Sequence, residues 1–231
     1  MEIYQNLKEN LLILNWNSKC YFIMIIIETK KKKQESILKK YPEAILCDVT
    51  SKAKDSLIKL SPFYPHGGIP VPFSDGYTAT CVEAVWQGLK VFENSDIDTN
   101  IFKNDTMKNI KRTVRKNGVP LGHRKGVNGT ELLSYLEARK QIYIPTYRWI
   151  LENKVYGIIE KLRTASEKKT IVLLDYDTNC DVENLKKPLS HASLVKAYVE
   201  GIYPYEDAKG LKAPDVEKTK HEVPLQLSFD W

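Results

Sequence analysis

The chain has 231 residues, 42% of them hydrophobic and 28% charged, with a formal net charge of +6. That length can bury a full core in one domain, and the composition is ordinary for a globular protein. Cys20, Cys47, Cys81 and Cys180 lie too far apart for a C-x-x-C unit and the four histidines are scattered, so neither a zinc site nor a disulfide framework is expected.

The one stretch near membrane length, residues 11–27, is interrupted by Asn15, Asn17, Ser18 and Lys19. Glu2, Lys8 and Glu9 leave the first ten residues slightly acidic, against a secretory signal. The expectation is therefore a cytoplasmic, intracellular protein with reduced thiols, no membrane association and no cofactor. The sequons at Asn104 and Asn128 carry no weight without a secretory route. Residues 1–23 read as an N-terminal extension, 24–207 as a single globular domain, and 208–231 as a polar flexible tail.

In chain order, residues 21–27 form a short β-rich apolar run, 28–41 a charged surface helix closed by Pro42, and 44–49 a second buried strand. Strand, helix and strand within about thirty residues suggest a βαβ unit with a parallel pair. Residues 61–75 hold Pro62, Pro65, Gly67, Gly68, Pro70 and Pro72 among Phe63, Tyr64, His66 and Phe73, and read as an irregular binding loop. Residues 80–92 read as the clearest helix, with Val82, Val85, Trp86, Leu89 and Phe92 on one buried face. Further helices are expected at 104–116, 129–141, 145–163 and 190–201, with a strand at 170–174. The fold class expected is α/β or α+β, a helix-rich single domain with a small, partly parallel sheet.

The positive charge is concentrated. Residues 103–125 contain eight Lys or Arg and one acid, Asp105. Such a cluster suits an anionic partner, phosphate on a small ligand or nucleic acid, and also suits a solvated helix face. Within it, the segment from Gly118 to Gly126 has glycines that permit close backbone approach to an anion, without Walker A or Rossmann spacing.

On the predicted helix 80–92, Glu83, Gln87 and Lys90 share a second stripe. Facing a pocket, the carboxylate could stabilise a sugar cation or activate water, and a lysine of lowered pKa could act as a nucleophile. Periodicity alone favours a plainer reading, with Thr80 and Glu83 as a capping box and Lys90 solvated. Asp177, beyond the strand at 170–174, is a second candidate acid or base; the segment 175–186 lacks the Gly and Glu of a calcium loop. Ser190 reads as an N-cap for a helix that begins with His191, and spacing supports no Ser/His/Asp arrangement.

Ser61-Pro62-Phe63-Tyr64-Pro65, followed by Glu83, Gln87 and Lys90 on one segment, resembles the NADAR family pattern of a Ser-Asn-Phe loop and a Glu-His-x-x-Gln-x-x-Lys-Phe helix. Pro62, Ala84 and Val91 depart from that pattern. The resemblance implies an α-rich fold that cleaves N-glycosidic bonds in phosphorylated ribosyl or ADP-ribosyl substrates. It implies Glu83 and Lys90 as pocket residues, with Phe63, Tyr64 and Trp86 around the ligand. Ser61, Gly67, Gly68 and Gln87 complete the expected binding set, and Arg112, Arg115, His123 and Arg124 are expected to hold phosphate. A non-catalytic ADP-ribose or nucleotide-binding module, and a nucleic-acid-binding protein using the basic stretch, are the alternatives.

Overall fold

The computed structural model describes residues 24–204, so the expected extension, the last three residues of the expected domain, all of the expected tail and Cys20 lie outside the described residues. In chain order its elements are β1 (Ile25–Thr29), α1 (Gln34–Lys40), β2 (Ile45–Asp48), β3 (Ile69–Pro70), β4 (Thr78–Ala79), α2 (Val82–Gly88) and β5 (Lys90–Phe92). There follow α3 (Val114–Asn117), β6 (Pro120–Arg124), β7 (Leu132–Leu133), α4 (Tyr135–Ala138), α5 (Ile144–Asn153), α6 (Tyr156–Ser166), β8 (Ile171–Asp175) and α7 (His191–Val199). The domain is α+β, helix-rich, with a small parallel sheet and two small antiparallel sheets.

The parallel sheet runs in the order β1-β8-β2. The expected parallel pair is thus split: β8 lies between β1 and β2 and pairs with both. All five residues of β8 are buried, which suits a strand covered on both faces. Val172 and Leu174 pack with Ile37 of α1, while Ile171 and Leu173 enter the main core, following the two-residue period of a strand. The helix expected at 28–41 is shortened because Glu28 continues β1; its carboxylate meets Lys32 at 2.6 Å and Lys40 at 3.1 Å.

The helix expected at 80–92 ends at Gly88, and Lys90 to Phe92 form a strand paired antiparallel with β6. Tertiary donors capture the carbonyls that the next turn would have used. Asp98 N–H donates to Gly88 O at 2.8 Å, and Arg124 N–H donates to Leu89 O at 2.8 Å. The Arg112 guanidinium donates to Lys90 O at 2.5 Å and to Gln87 O at 3.4 Å. Every residue of α2 is buried. Gly88 is required for that packing, since a Cβ there would stand 2.2 Å from the Phe102 ring.

Other expectations shift for similar local reasons. The loop at 61–75 contains β3, which pairs with β4. Residues 104–113 are not helical; Met107 and Asn109 adopt positive φ, which a right-handed helix does not allow. The segment from Gly118 to Gly126, singled out for its glycines, contains β6 as the middle strand of β5-β6-β7. The two helices expected at 129–141 and 145–163 become a run from Tyr135 to Asn153, followed by α6. Ser134 and Glu137 form a capping box at its start. Residues Arg139–Tyr143 widen into a π turn between α4 and α5. Pro145 explains that turn: its ring lacks an N–H and crowds the carbonyl four residues earlier.

Candidate active site

Helix α2 begins at Cys81, whose thiol accepts a hydrogen bond from Ala84 N–H at 3.3 Å; Thr80 instead donates to Asn104 O. The capping box expected from Thr80 and Glu83 is therefore absent, and Glu83 is released from a capping role. Its N–H donates to Pro62 O at 2.9 Å, which ties the Pro-rich loop to the first turn of α2.

The stripe Glu83–Gln87 faces a cavity of about 330 Å³, not bulk water. Glu83 and Gln87 are 7% and 6% exposed and form its floor. Trp86, Tyr135 and Tyr143 supply aromatic walls, Pro188 and Leu189 an apolar side, and Lys90, Lys111, Arg112 and Arg139 the cations. Lys90 enters from β5, while Tyr135, Arg139 and Tyr143 enter from α4 and the π turn. Their four-residue spacing, one face of a helix, was the sequence signal for this wall. Lys111, Pro188 and Leu189 had no such signal.

The electrostatics are set by burial. Gln87 Nε2 donates to Glu83 Oε1 at 2.9 Å, yet burial of the carboxyl outweighs this bond and the nearby lysines and holds its pKa above the ordinary value. Burial also lowers the pKa of Lys90, with Arg112 and Lys111 adding to the effect and Glu83 opposing it. Burial, with nearby Glu83 and Asp175, pushes the Tyr143 phenol well above its ordinary value, so it stays a donor.

Two of the four cations are already committed. Both terminal nitrogens of Arg112 donate within the domain, to Gln87 O, Lys90 O, Ser95 Oγ and Asp96 O. Arg139, 2% exposed, donates to Val182 O, Asn184 O and Lys187 O and fixes the segment before α7. The ammonium groups of Lys90 and Lys111 make no hydrogen bond or ion pair among the described residues; they lie over the rings of Phe92 and Phe63, each at 5.5 Å.

The description "Family of unknown function (DUF6939)" matches residues 29–195, which is most of the chain and includes every residue of the cavity wall. The chain belongs to this family. No curated protein and no solved structure matches it.

Within this DUF6939 domain, several expected site residues lie elsewhere. Asp177 lies outside the cavity wall; the carboxylate that the fold uses at the end of β8 is Asp175. Ser61 is buried and accepts from Phe63 N–H at 3.3 Å; the Tyr64 ring meets that of His66 at 4.8 Å in a tilted arrangement, and neither Ser61 nor Tyr64 lines the cavity. Phe63 is not on the cavity wall; its ring lies 5.5 Å from the Lys111 ammonium. Gly67 and Gly68, with φ of 71° and 64°, shape a turn whose surroundings are open. Arg112 lines the wall but is spent as a clamp. Arg115 is exposed on α3, away from the cavity wall, and Arg124 pairs with Asp96 at 2.6 Å.

His123 stands behind the site. It is 1% exposed, its ring centroid is 3.7 Å from that of Trp86, and neither ring nitrogen has a protein partner among the described residues. Burial, aided by the Lys90 charge, pushes its pKa down to about 3, so it is a neutral backing for Trp86. A Ser/His/Asp group does come together beside the cavity, off its wall. His191 Nδ1 lies 3.0 Å from Asp175 Oδ2, and Ser190 donates to the same oxygen at 2.7 Å. His191 Nε2 faces Val49 O at 2.8 Å, so the ring is committed to two acceptors and has no nucleophile to activate. Among the described residues, no three His, Cys, Asp or Glu side chains converge to hold a metal ion.

Proposed function

We propose that this protein is an N-glycosidase, cleaving the bond between C1 of a phosphorylated ribosyl group and a nitrogen base. The observation that carries this reading is Glu83, a buried carboxyl on the floor of an aromatic and cationic cavity. A buried carboxylate with no ion-pair partner is poorly stabilised, and positive charge developing at C1 supplies what it lacks. The stabilisation is then larger in the transition state than in the ground state, as catalysis requires.

The chemistry balances with two side chains. The C1–N bond breaks and its electron pair goes to the base nitrogen, which takes a proton from the Lys90 ammonium. Water forms the new C1–O bond and gives its proton to Glu83, and solvent returns that proton to Lys90. A lowered lysine pKa makes the ammonium a better acid, and a raised carboxyl pKa makes the carboxylate a better base. Trp86, Tyr135 and Tyr143 offer faces for a planar base. The order of Ser61, Phe63, Glu83 and Gln87 along the chain, resembling the NADAR pattern, adds support. A cavity near 330 Å³ is at the small end of ligand pockets, which favours a ribosyl monophosphate over ADP-ribose.

The test is product formation. Wild-type protein incubated with a panel of N-ribosyl monophosphates, purine, pyrimidine and nicotinamide-type, should release free base and ribose 5-phosphate from at least one. Failure across the panel and with ADP-ribosyl compounds contradicts the proposal.

A second reading, a binding module without turnover, has one observation in its favour. Ala84 stands where the NADAR pattern has His, and it is fully buried. Saturable binding with no product over hours would support it.

A further inference from the structure

The cations around the cavity differ in what they have left to give. Arg112 and Arg139 direct their terminal nitrogens at backbone carbonyls and the Ser95 and Tyr135 hydroxyls. They serve the fold. Lys90 and Lys111 keep all three ammonium donors unused among the described residues. The wall carries four cations and one acid, Glu83, so the cavity has positive charge that its own residues do not balance.

Lys111 is also held in place. Ile110 before it is 1% exposed in the main core, and Arg112 after it donates its N–H to Gln87 Oε1 at 3.1 Å and clamps β5 with its guanidinium. Between two anchored neighbours the Cα of Lys111 is fixed, so its ammonium reaches only the region around the cavity mouth, unlike the lysines of a free loop. Depth orders the groups: Glu83 at the floor, Lys90 half-buried, Lys111 exposed at the mouth.

We infer that Lys111 forms an anion subsite at the mouth of the cavity that takes a phosphate monoester and sets this specificity, while Lys90, deeper in, is left to the leaving base. Arg112, Arg115 and Arg124 are left out of the role. The inference rests on the cavity being the substrate site, as in the proposed function, but not on any bond being broken there. An ammonium group suits a compact dianion as a point charge, without the planar geometry that bidentate arginine contacts demand. With the phosphate at the mouth, the ribose C1 of a five-carbon sugar points inward to Glu83.

The test is calorimetric titration of the full-length protein with ribose 5-phosphate and with ribose, using wild type, Lys111→Gln, Lys111→Arg and Arg115→Gln. Ribose 5-phosphate should saturate wild type and Lys111→Arg, and ribose should show no comparable affinity. Lys111→Gln should weaken binding by about tenfold or more, as expected for loss of a charge-assisted contact. Arg115→Gln should stay within about twofold, because exposed charges outside the site contribute little. Equal affinity of Lys111→Gln and wild type, equal affinity for ribose, or no saturable binding of ribose 5-phosphate by wild type would overturn the subsite. Lys111-dependent binding without turnover of any N-ribosyl compound keeps the subsite and removes the glycosidase reading. Turnover with Lys111-independent binding does the reverse.

Discussion

Gln87 Nε2 donates to the Glu83 carboxylate at 2.9 Å from one helical turn along α2, while Gln87 Oε1 accepts from the Arg112 N–H at 3.1 Å. One amide thus holds the carboxyl in position and fixes the irregular segment that presents Lys111. Gln87→Met removes the donor that lowers the Glu83 pKa. The acid limb of the activity profile should move to higher pH, and stability should fall by about 1–3 kcal/mol because two buried bonds are lost. An acid limb unmoved by this variant would separate Gln87 from the titration of Glu83.

The pH profile of the wild type follows from two directions. Cleavage needs Glu83 ionised and Lys90 protonated. The Glu83 pKa is raised and the Lys90 pKa is lowered, so both limbs should close inward from the ordinary values of 4.5 and 10.5. Lys90→Arg should keep the charge but lose most of the turnover, since a guanidinium stays protonated throughout and cannot hand its proton to the base. A profile flat from pH 5 to 10 would exclude this pair.

Glu83 also links pH to stability. Its folded pKa is raised, so its contribution to stability is fully present below 4.5 and is lost as pH rises through the folded value. Glu83→Gln should therefore raise the melting temperature at pH 8, and the gain should shrink toward pH 4. Chemical or thermal melts of both proteins at four pH values measure this. A variant less stable than wild type at pH 8 would mean that the carboxylate is better stabilised than its surroundings indicate.

His191 and Asp175 make an opposite contribution. Burial resists the imidazolium, but the Asp175 carboxylate and the Val49 carbonyl overcome it and raise the His191 pKa; the same contacts, with Ser190 and Ala192 N–H, outweigh burial at Asp175 and lower its pKa. The His191 contribution is present below 6.5 and is lost as pH rises through its raised value. The Asp175 contribution is present above 3.8 and is lost as pH falls through its lowered value. Stability from the pair should be greatest between about pH 4 and 6.5. Asp175→Asn should cost about 3 kcal/mol at pH 6 and noticeably less at pH 9. A pH-independent loss would indicate a neutral His191.

Gly88→Ala tests the close packing that seats α2. Its Cβ would meet the Phe102 ring at 2.2 Å and Asp98 O at 3.2 Å, so overpacking should cost about 1–3 kcal/mol. Phe102→Leu in the same protein should restore part of the loss. An undiminished melting temperature in the single variant would show that the 99–103 turn yields freely.

The sequence made the apolar elements legible where one signal decided them. β8 stands out as four apolar residues closed by an acid, and Ser190 announces α7 by its cap. The stripe of Glu83 and Gln87 was visible as well, though periodicity could not say that it faces a cavity. What stayed hidden depended on partners distant in the chain. The end of α2 is set by Asp98, Arg112 and Arg124, none within the helix, so Lys90 read as helical when it is on β5. Arg112 and Arg124 read as phosphate ligands because spacing gives no sign of Lys90 O or Asp96 as acceptors. The position of β8 between β1 and β2 is likewise a long-range choice that no local pattern encodes.

The most direct test of the central claim is the steady-state rate of base release by Glu83→Gln beside wild type, on the best N-ribosyl monophosphate of the panel, with folding of both verified by melting. The account predicts a loss of about 10²–10⁴-fold in kcat with ribose 5-phosphate affinity retained. A kcat within about twofold of wild type would contradict it, and the buried carboxyl on α2 would then be a structural group beside a site that works without it.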